Sequence, residues 1–359
     1  MIAIVLGTRP EIIKQSPIIR ECRAQHLDYF ILHTGQHYSY EMDRAFFLDL
    51  ELPEPKYNLD VGSGTHAEQT SRILTGIEHV LMEEQPDIVL VQGDTNTVLA
   101  GALAAAKLHI KIGHVEAGLR SFDRTMPEEI NRVVADHISD YFFAPTRTAR
   151  QNLLNEGIED NKISVTGNTI VDAVFQNMDL SKKRANILDT LGIKPKNYFL
   201  VTAHRQENVD SPENLKNIIR GLEAIHQEYS QPVIFPMHPR TRKMVEQFNI
   251  PLSGITVIEP IGFLEFLQLE ANARLILTDS GGVQEESCIL GVPCVTLRNT
   301  TERPETIDIG SNMLVGTSPE QIRKGVIKMI NQPKHWENPY GDGTASVSIV
   351  NSISRTNES

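Results

Sequence analysis

The chain has 359 residues, enough for about two domains with separate apolar cores. Hydrophobic residues make up 40% and charged residues 22%, a balance that excludes disordered, collagen-like and coiled-coil chains. With 46 acidic against 34 basic side chains the net charge is −12, so nucleic acid and anionic membrane surfaces are not expected partners.

The opening MIAIVLGTRP has no basic stretch and turns polar early, which reads as a buried first strand rather than a signal peptide. Further short β-branched runs follow at 29–33, 88–92, 111–115, 141–144 and 163–165. Apolar stretches such as 97–106 fall short of the roughly 18 residues of a membrane helix, so a cytoplasmic location is expected. The segment 179–196, rich in Lys, Asn and Asp and carrying Pro195, reads as a helical segment plus linker. A second series of strands is predicted at 198–202, 233–237, 256–258, 274–278 and 294–297, and an amphipathic stretch at 345–353 as a final docking helix. Strands alternating with amphipathic helices predict parallel sheets covered on both faces, hence two doubly wound α/β domains. Cys22, Cys288 and Cys294 are odd in number and lack CxxC spacing, so they read as reduced structural thiols.

In parallel sheets ligands bind beyond the carboxyl ends of the strands, and here those positions are crowded with ionisable groups. The first series ends in Gly7-Thr8-Arg9-Pro10-Glu11 with Lys14 beyond, in Gly93-Asp94-Thr95, and in Glu116-Ala117-Gly118-Leu119-Arg120. The second ends in Ala203-His204-Arg205, His238-Pro239-Arg240 and Asp279-Ser280-Gly281-Gly282. If the two edges face each other across a cleft, Arg, Lys, His, Asp and Glu meet there. Ser280, Gly281 and Gly282 are predicted to open a helix whose free N–H groups suit a phosphate, with Glu285 and Glu286 in its first turn, one of them placed to accept ribose hydroxyls. Arg303 is a candidate charge-assisted phosphate contact.

Taken singly, these residues have plainer readings. Asp94 and Glu116 can be surface loop carboxylates, Glu128 a first-turn carboxylate paired with Arg132, His204 a polar strand end, and the SGG segment a capped helix. Their joint occurrence points to chemistry. Gly62-Ser63-Gly64 follows no clear strand and is set aside as a dinucleotide site, and His33 with His37 is set aside as a metal pair because Gly35 lies between them.

The segments GTRPEIIK, GDTNT, HVEAGLRS, MPEEINR, TGNTIVDA, TAHRQEN, SGGVQEE and TTERPE, in this order from Gly7 to Glu305, resemble the non-hydrolysing UDP-N-acetylglucosamine 2-epimerases. The resemblance implies two Rossmann-like domains facing a cleft in the glycosyltransferase-B architecture. The N-terminal domain would span 1–170, rejoined by a C-terminal helix at about 341–359, and the UDP-binding domain 171–340. It implies interconversion of UDP-N-acetylglucosamine and UDP-N-acetylmannosamine without NAD or metal, and a homodimer. By similarity Asp94, Glu116 and Glu128 are the acid/base candidates, and His204 lies beside the pyrophosphate or takes part in proton transfer. Arg9, Lys14, His204, Ser280, Gly281, Gly282 and Arg303 would hold UDP, with Glu286 on the ribose. Bacterial members carry an allosteric substrate site at a Gln-His pair. Gln36 and His37 match the pair, but the loop to Met42 is longer here. A hydrolysing epimerase, a UDP-sugar glycosyltransferase and a silent UDP-sugar sensor are the competing readings.

Overall fold

In the computed structural model, residues 1–36, 40–333 and 335–356 are described. They divide into two compact units, Met1–Gln176 with Tyr340–Ser359, and Asn177–Pro339. None of the described helices is long and apolar enough to cross a membrane.

The first unit runs β1 (Ile2–Leu6), α1 (Arg9–Ala24), β2 (Tyr29–His33), α2 (Tyr40–Asp49), β3 (Tyr57–Asn58), α3 (His66–Glu84), β4 (Ile88–Gln92), α4 (Asn96–Lys107), β5 (Lys111–Val115), α5 (Pro127–Ile138), β6 (Tyr141–Ala144), α6 (Arg147–Asn155), β7 (Ile163–Val165) and α7 (Thr169–Arg184). Its seven strands are parallel in the order β3-β2-β1-β4-β5-β6-β7. All five residues of β1 are buried, as a central parallel strand covered on both faces requires. On α3, Ile73, Ile77 and Leu81 recur every fourth residue, all fully buried, and form a stripe that joins Val98, Ala102 and Ala105 of α4 in the core.

The second unit holds α8 (Ile187–Leu191), β8 (Phe199–Thr202), α9 (Gln206–Val209), α10 (Pro212–Tyr229), β9 (Val233–Pro236), α11 (Pro239–Gln247), β10 (Ile255–Ile258), α12 (Phe263–Asn272), β11 (Leu275–Thr278), α13 (Gly281–Ile289), β12 (Cys294–Thr296), α14 (Pro304–Asp308), β13 (Asn312–Leu314) and α15 (Pro319–Asn331). Its six parallel strands run β10-β9-β8-β11-β12-β13. Leu215, Ile218, Ile219, Leu222 and Ile225 of α10 cover one face of the sheet.

The last helix, α16 (Ala345–Thr356), belongs to the first unit and packs on α1. Its free N-terminal donors are taken by Asp172 near the start of α7, which accepts from the Ser346 N–H at 2.9 Å, the Ser346 hydroxyl at 2.6 Å and the Ala345 N–H at 3.3 Å. Burial pushes the Asp172 carboxyl up despite these donors.

Both sheets reverse their strand order once, between β1 and β4 in the first and between β8 and β11 in the second. Chains leave adjacent strands there in opposite directions, opening a crevice at the carboxyl ends. Asp94 follows β4, and His204 and Ser280 follow β8 and β11. Of the helical segment plus linker expected at 179–196, the helical part is the end of α7, which continues to Arg184, and α8 at Ile187–Leu191, which ends at Gly192 with φ 63°. The three cysteines are free and buried.

Candidate functional site

In the first unit, Gly93 follows β4 with φ 87° and turns the chain so that Asp94 leaves the sheet. Asp94 is held from α5: Asn131 donates to its backbone carbonyl at 2.9 Å, and the Arg132 guanidinium forms a close ion pair with its carboxylate. Pro127 and Glu128 lie in the first turn of the same helix. Asp94 and Glu128 line one cavity of about 360 Å³, together with Gln36, His66, Asn96 and Asn131. Glu128 is exposed and has no ion pair among the described residues, so the expected pairing with Arg132 is corrected. Arg132 goes instead to Glu129 at 2.9 Å. Glu129 also accepts from the Ser121 and Phe122 N–H groups, and these donors lower its pKa although burial opposes them. It is an anchor for the 119–126 loop that the sequence reading passed over.

Glu116 follows β5 in the left-handed region, φ 66°, an uncommon conformation for a residue with a side chain. Its Oε1 lies 2.6 Å from the Lys14 ammonium, with both side chains largely buried. Its Oε2 is near Gly93, where an added Cβ would sit 3.4 Å away. Glu116 and Lys14 are thus a buried pair behind the Asp94 turn rather than part of the cavity lining. Arg9 begins α1 and lies over the Phe46 ring, 4.9 Å to the centroid.

Glu11, to which no motif in the sequence assigns a role, ties these turns together. Its carboxyl receives the Gly7 N–H at 2.9 Å and the Thr8 hydroxyl at 2.8 Å, and meets the Thr95 hydroxyl at 2.8 Å. Burial dominates and raises its pKa to about 7. Gln36 is buried, and its side-chain oxygen accepts from the Thr97 N–H and hydroxyl at 3.0 and 2.8 Å. His37 and the loop to Ser39 lie outside the described residues.

In the second unit, His204 follows β8 with its side chain 45% exposed. The fully buried Asp279 fixes that turn by accepting from the N–H groups of His204 and Arg205, both at 3.0 Å, and from the Asn208 amide at 3.0 Å. The His204 ring lies 6.0 Å from that of His238, whose pKa is lowered by burial and then by the neighbouring His204 and Arg240. Both histidines line a cavity of about 260 Å³ with Ile261, Phe266, Ser280 and Val283. Its lining is mostly apolar with a few polar groups, the character of a small-molecule site.

Ser280 is the N-cap of α13, and Gly281 and Gly282 form its first two positions. A Cβ on Gly281 would meet nothing closer than Glu302 at 4.0 Å, and one on Gly282 nothing closer than Ser280 at 3.9 Å. Nothing inside the chain requires these glycines; they leave helix N–H groups open to an approaching group. Glu285 and Glu286 are corrected from the first turn of this helix to the second, because the helix already begins at Gly281. Glu285 is fully buried and takes the Arg303 Nε–H at 2.5 Å, which fixes the plane of that guanidinium. Glu286 is largely buried beside the fully buried Glu270, whose pKa is raised well above the usual carboxylate range by burial and then by Glu286. Arg298, another residue the sequence reading missed, is paired with Glu302 through contacts of 2.8 and 3.0 Å and holds that carboxyl down at about 2 against the effect of burial.

A family model described as UDP-N-acetylglucosamine 2-epimerase matches residues 20–354. A UDP-N-acetylglucosamine 2-epimerase of Methanocaldococcus jannaschii is 57% identical over 356 residues, 97% of each chain. A UDP-2,3-diacetamido-2,3-dideoxy-D-glucuronate 2-epimerase of Pseudomonas aeruginosa is 42% identical over 356 residues, 98% of each chain. The crystal structure of the M. jannaschii UDP-GlcNAc 2-epimerase in complex with UDP-GlcNAc and UDP matches with a TM-score of 0.91 at 57% identity, covering 99% of both chains. The two-domain α/β fold expected from the sequence is the fold of that structure.

Proposed function

Because the chain belongs to the UDP-N-acetylglucosamine 2-epimerase family, we propose that it interconverts UDP-N-acetylglucosamine and UDP-N-acetylmannosamine by elimination and re-addition of UDP. A carboxylate removes the C2 proton while the C1–O bond breaks. The electron pair of that bond leaves with UDP, and the C2–H pair becomes the C1=C2 double bond of 2-acetamidoglucal. Addition of UDP to C1, with protonation of C2 on the other face, gives the epimer. The observation that carries this reading is the pair of carboxylates, Asp94 and Glu128, lining one cavity of the first unit. Asp94 is ion-paired with Arg132 and Glu128 is exposed, so one carboxylate is fixed in place and the other is open to water.

The same reading assigns UDP to the second unit. The cavity beside Phe266 and Val283 suits a pyrimidine ring, the open N–H groups at Gly281 and Gly282 suit a phosphate, and Glu286 is assigned to the ribose. His204, Arg9, Lys14 and Arg303 are assigned to the charge of the departing diphosphate.

Incubation with UDP-N-acetylglucosamine alone in D2O, followed by NMR, tests the proposal. Deuterium at C2 of a product that remains a UDP-sugar is the expected result. Free N-acetylmannosamine with UDP would mean a hydrolysing enzyme, and no turnover without an acceptor sugar would mean a transferase or a sensor. An epimer that keeps its original C2 hydrogen would overturn the elimination.

A further inference from the structure

His114, on β5, is fully buried and faces an acceptor at each ring nitrogen. Its Nδ1 lies 2.6 Å from Asp136 Oδ1 on α5, and its Nε2 lies 2.9 Å from the carbonyl oxygen of Gly93. A carbonyl oxygen cannot donate, so Nε2 carries a proton. Asp136 Oδ2 receives the Gly118 N–H at 3.1 Å and an Arg120 Nη–H at 2.7 Å, which keeps that carboxyl ionised, so Nδ1 carries a proton as well. We infer that His114 is a buried imidazolium and a positioning residue, bracing the Gly93–Asp94 turn against the Glu116–Gly118 turn and so fixing where Asp94 stands in its cavity.

The geometry of both turns makes such a brace effective. Gly93, Glu116 and Gly118 all have positive φ, at 87°, 66° and 79°, so neither turn is held by an ordinary backbone preference. Gly118 is further confined, because a Cβ there would lie 2.2 Å from the Ala149 carbonyl. Asp136 binds the second turn through the Gly118 N–H, and the ring binds the first through the Gly93 carbonyl. Charges alternate along the network, from His114 to Asp136 to Arg120 to Glu156, the last pair meeting at 2.6 and 2.7 Å. A buried cation is tolerated when its neighbours compensate it in this way.

The charged groups facing the ring are identifiable. Asp136 from α5 favours the imidazolium, while Arg120 from the loop after β5 opposes it, as does burial. The balance lies with Asp136 and the Gly93 carbonyl, and the pKa is raised. The flanking strands β4 and β6 carry no charged side chain, and the only charge on α4, Lys107, is at its far end.

The inference rests on the acid/base reading of Asp94, but its first test does not. In the full-length protein labelled with 15N-histidine, the His114 ring should show both nitrogens protonated at neutral pH. A ring nitrogen without a proton at neutral pH would overturn the inference whatever the enzyme's activity. The second test is kinetic. In His114→Asn the amide still reaches Asp136 but not the Gly93 carbonyl, and kcat should fall by about 10²-fold. Affinity for UDP should not change, and the alkaline limb of the kcat profile that follows His114 titration in the wild type should be missing. Wild-type kcat in this variant would overturn the positioning role. If the variant does not fold, the wild-type comparison decides: the alkaline limb must coincide with the ring titration seen by NMR, and a limb that does not is a refutation. Wild-type kcat in Asp94→Asn and Glu128→Gln would instead refute the acid/base reading and leave the imidazolium standing.

Discussion

Glu11→Gln should change how the stability of the first unit depends on pH. The Glu11 side chain is fully buried, and its pKa is raised from the ordinary 4.5 to about 7. In the unfolded chain the carboxyl ionises above 4.5, whereas in the folded unit it stays protonated until about 7. Over that interval the native state therefore binds the extra proton, and stability falls as pH rises. At about 1.4 kcal/mol per pH unit, the loss reaches about 3 kcal/mol and is complete above pH 7. Gln reproduces the protonated form. Its oxygen can accept from Gly7 and Thr8, and its amide can donate to the Thr95 hydroxyl, where the neutral acid would place its own proton. The variant should match the wild type near pH 4 and exceed it by about 3 kcal/mol near pH 8. Fluorescence is the wrong probe, because the single tryptophan, Trp336, belongs to the other unit. Hydrogen exchange of the slowest amides in β1 and β4, corrected for intrinsic rates, reads the right one. Comparing variant with wild type cancels every other titrating group. A stability difference that is the same at both pH values would refute the argument.

Asp94→Asn and Glu128→Gln should each lower kcat by about 10² to 10⁴-fold while calorimetry finds UDP affinity retained. Gly282→Ala should leave the melting temperature unchanged or slightly higher, since the new methyl has room and Ala favours a helix, yet UDP titration should show affinity lost by tenfold or more, on the order of 1.4 kcal/mol. Glu286→Ala should raise KM, and the difference between UDP and 2′-deoxy-UDP affinity should shrink with it. Asp172→Ala removes the acceptor for two backbone N–H groups and a hydroxyl, costing the first unit about 1 to 3 kcal/mol. Limited proteolysis should then cut α16 from the native protein.

Strands of the first sheet were legible to the residue wherever a β-branched run was bounded by polar turns, as at Ile88–Gln92 and Lys111–Val115. β3 and β13 were not, because Tyr57–Asn58 and Asn312–Leu314 carry no such run. They become strands by pairing with a neighbour already in place. The clustering of Asp94 with Glu128 was legible because parallel sheets deliver strand ends to one edge. The division of labour within Glu128-Glu129 was not. Consecutive helical residues point about 100° apart, so which one faces the cavity depends on how α5 docks. Likewise the commitments of Arg132 to Asp94 and of Arg303 to Glu285 are contacts over a distance in sequence that no local pattern encodes.

The first unit is interrupted in sequence by the second, and this orders events during synthesis. Residues 1–176 leave the ribosome first, but the surface of α1 that receives α16 stays uncovered until the final residues emerge. Ile349, Val350 and Ile353, all buried in the finished fold, are what it waits for. The intervening unit is contiguous and can close its core as soon as its own last helix is free. The unit begun first is therefore finished last. A nascent chain halted before about residue 345 would keep an apolar stripe and an unmatched buried Asp172 carboxyl, features that distinguish a truncated product from a complete one.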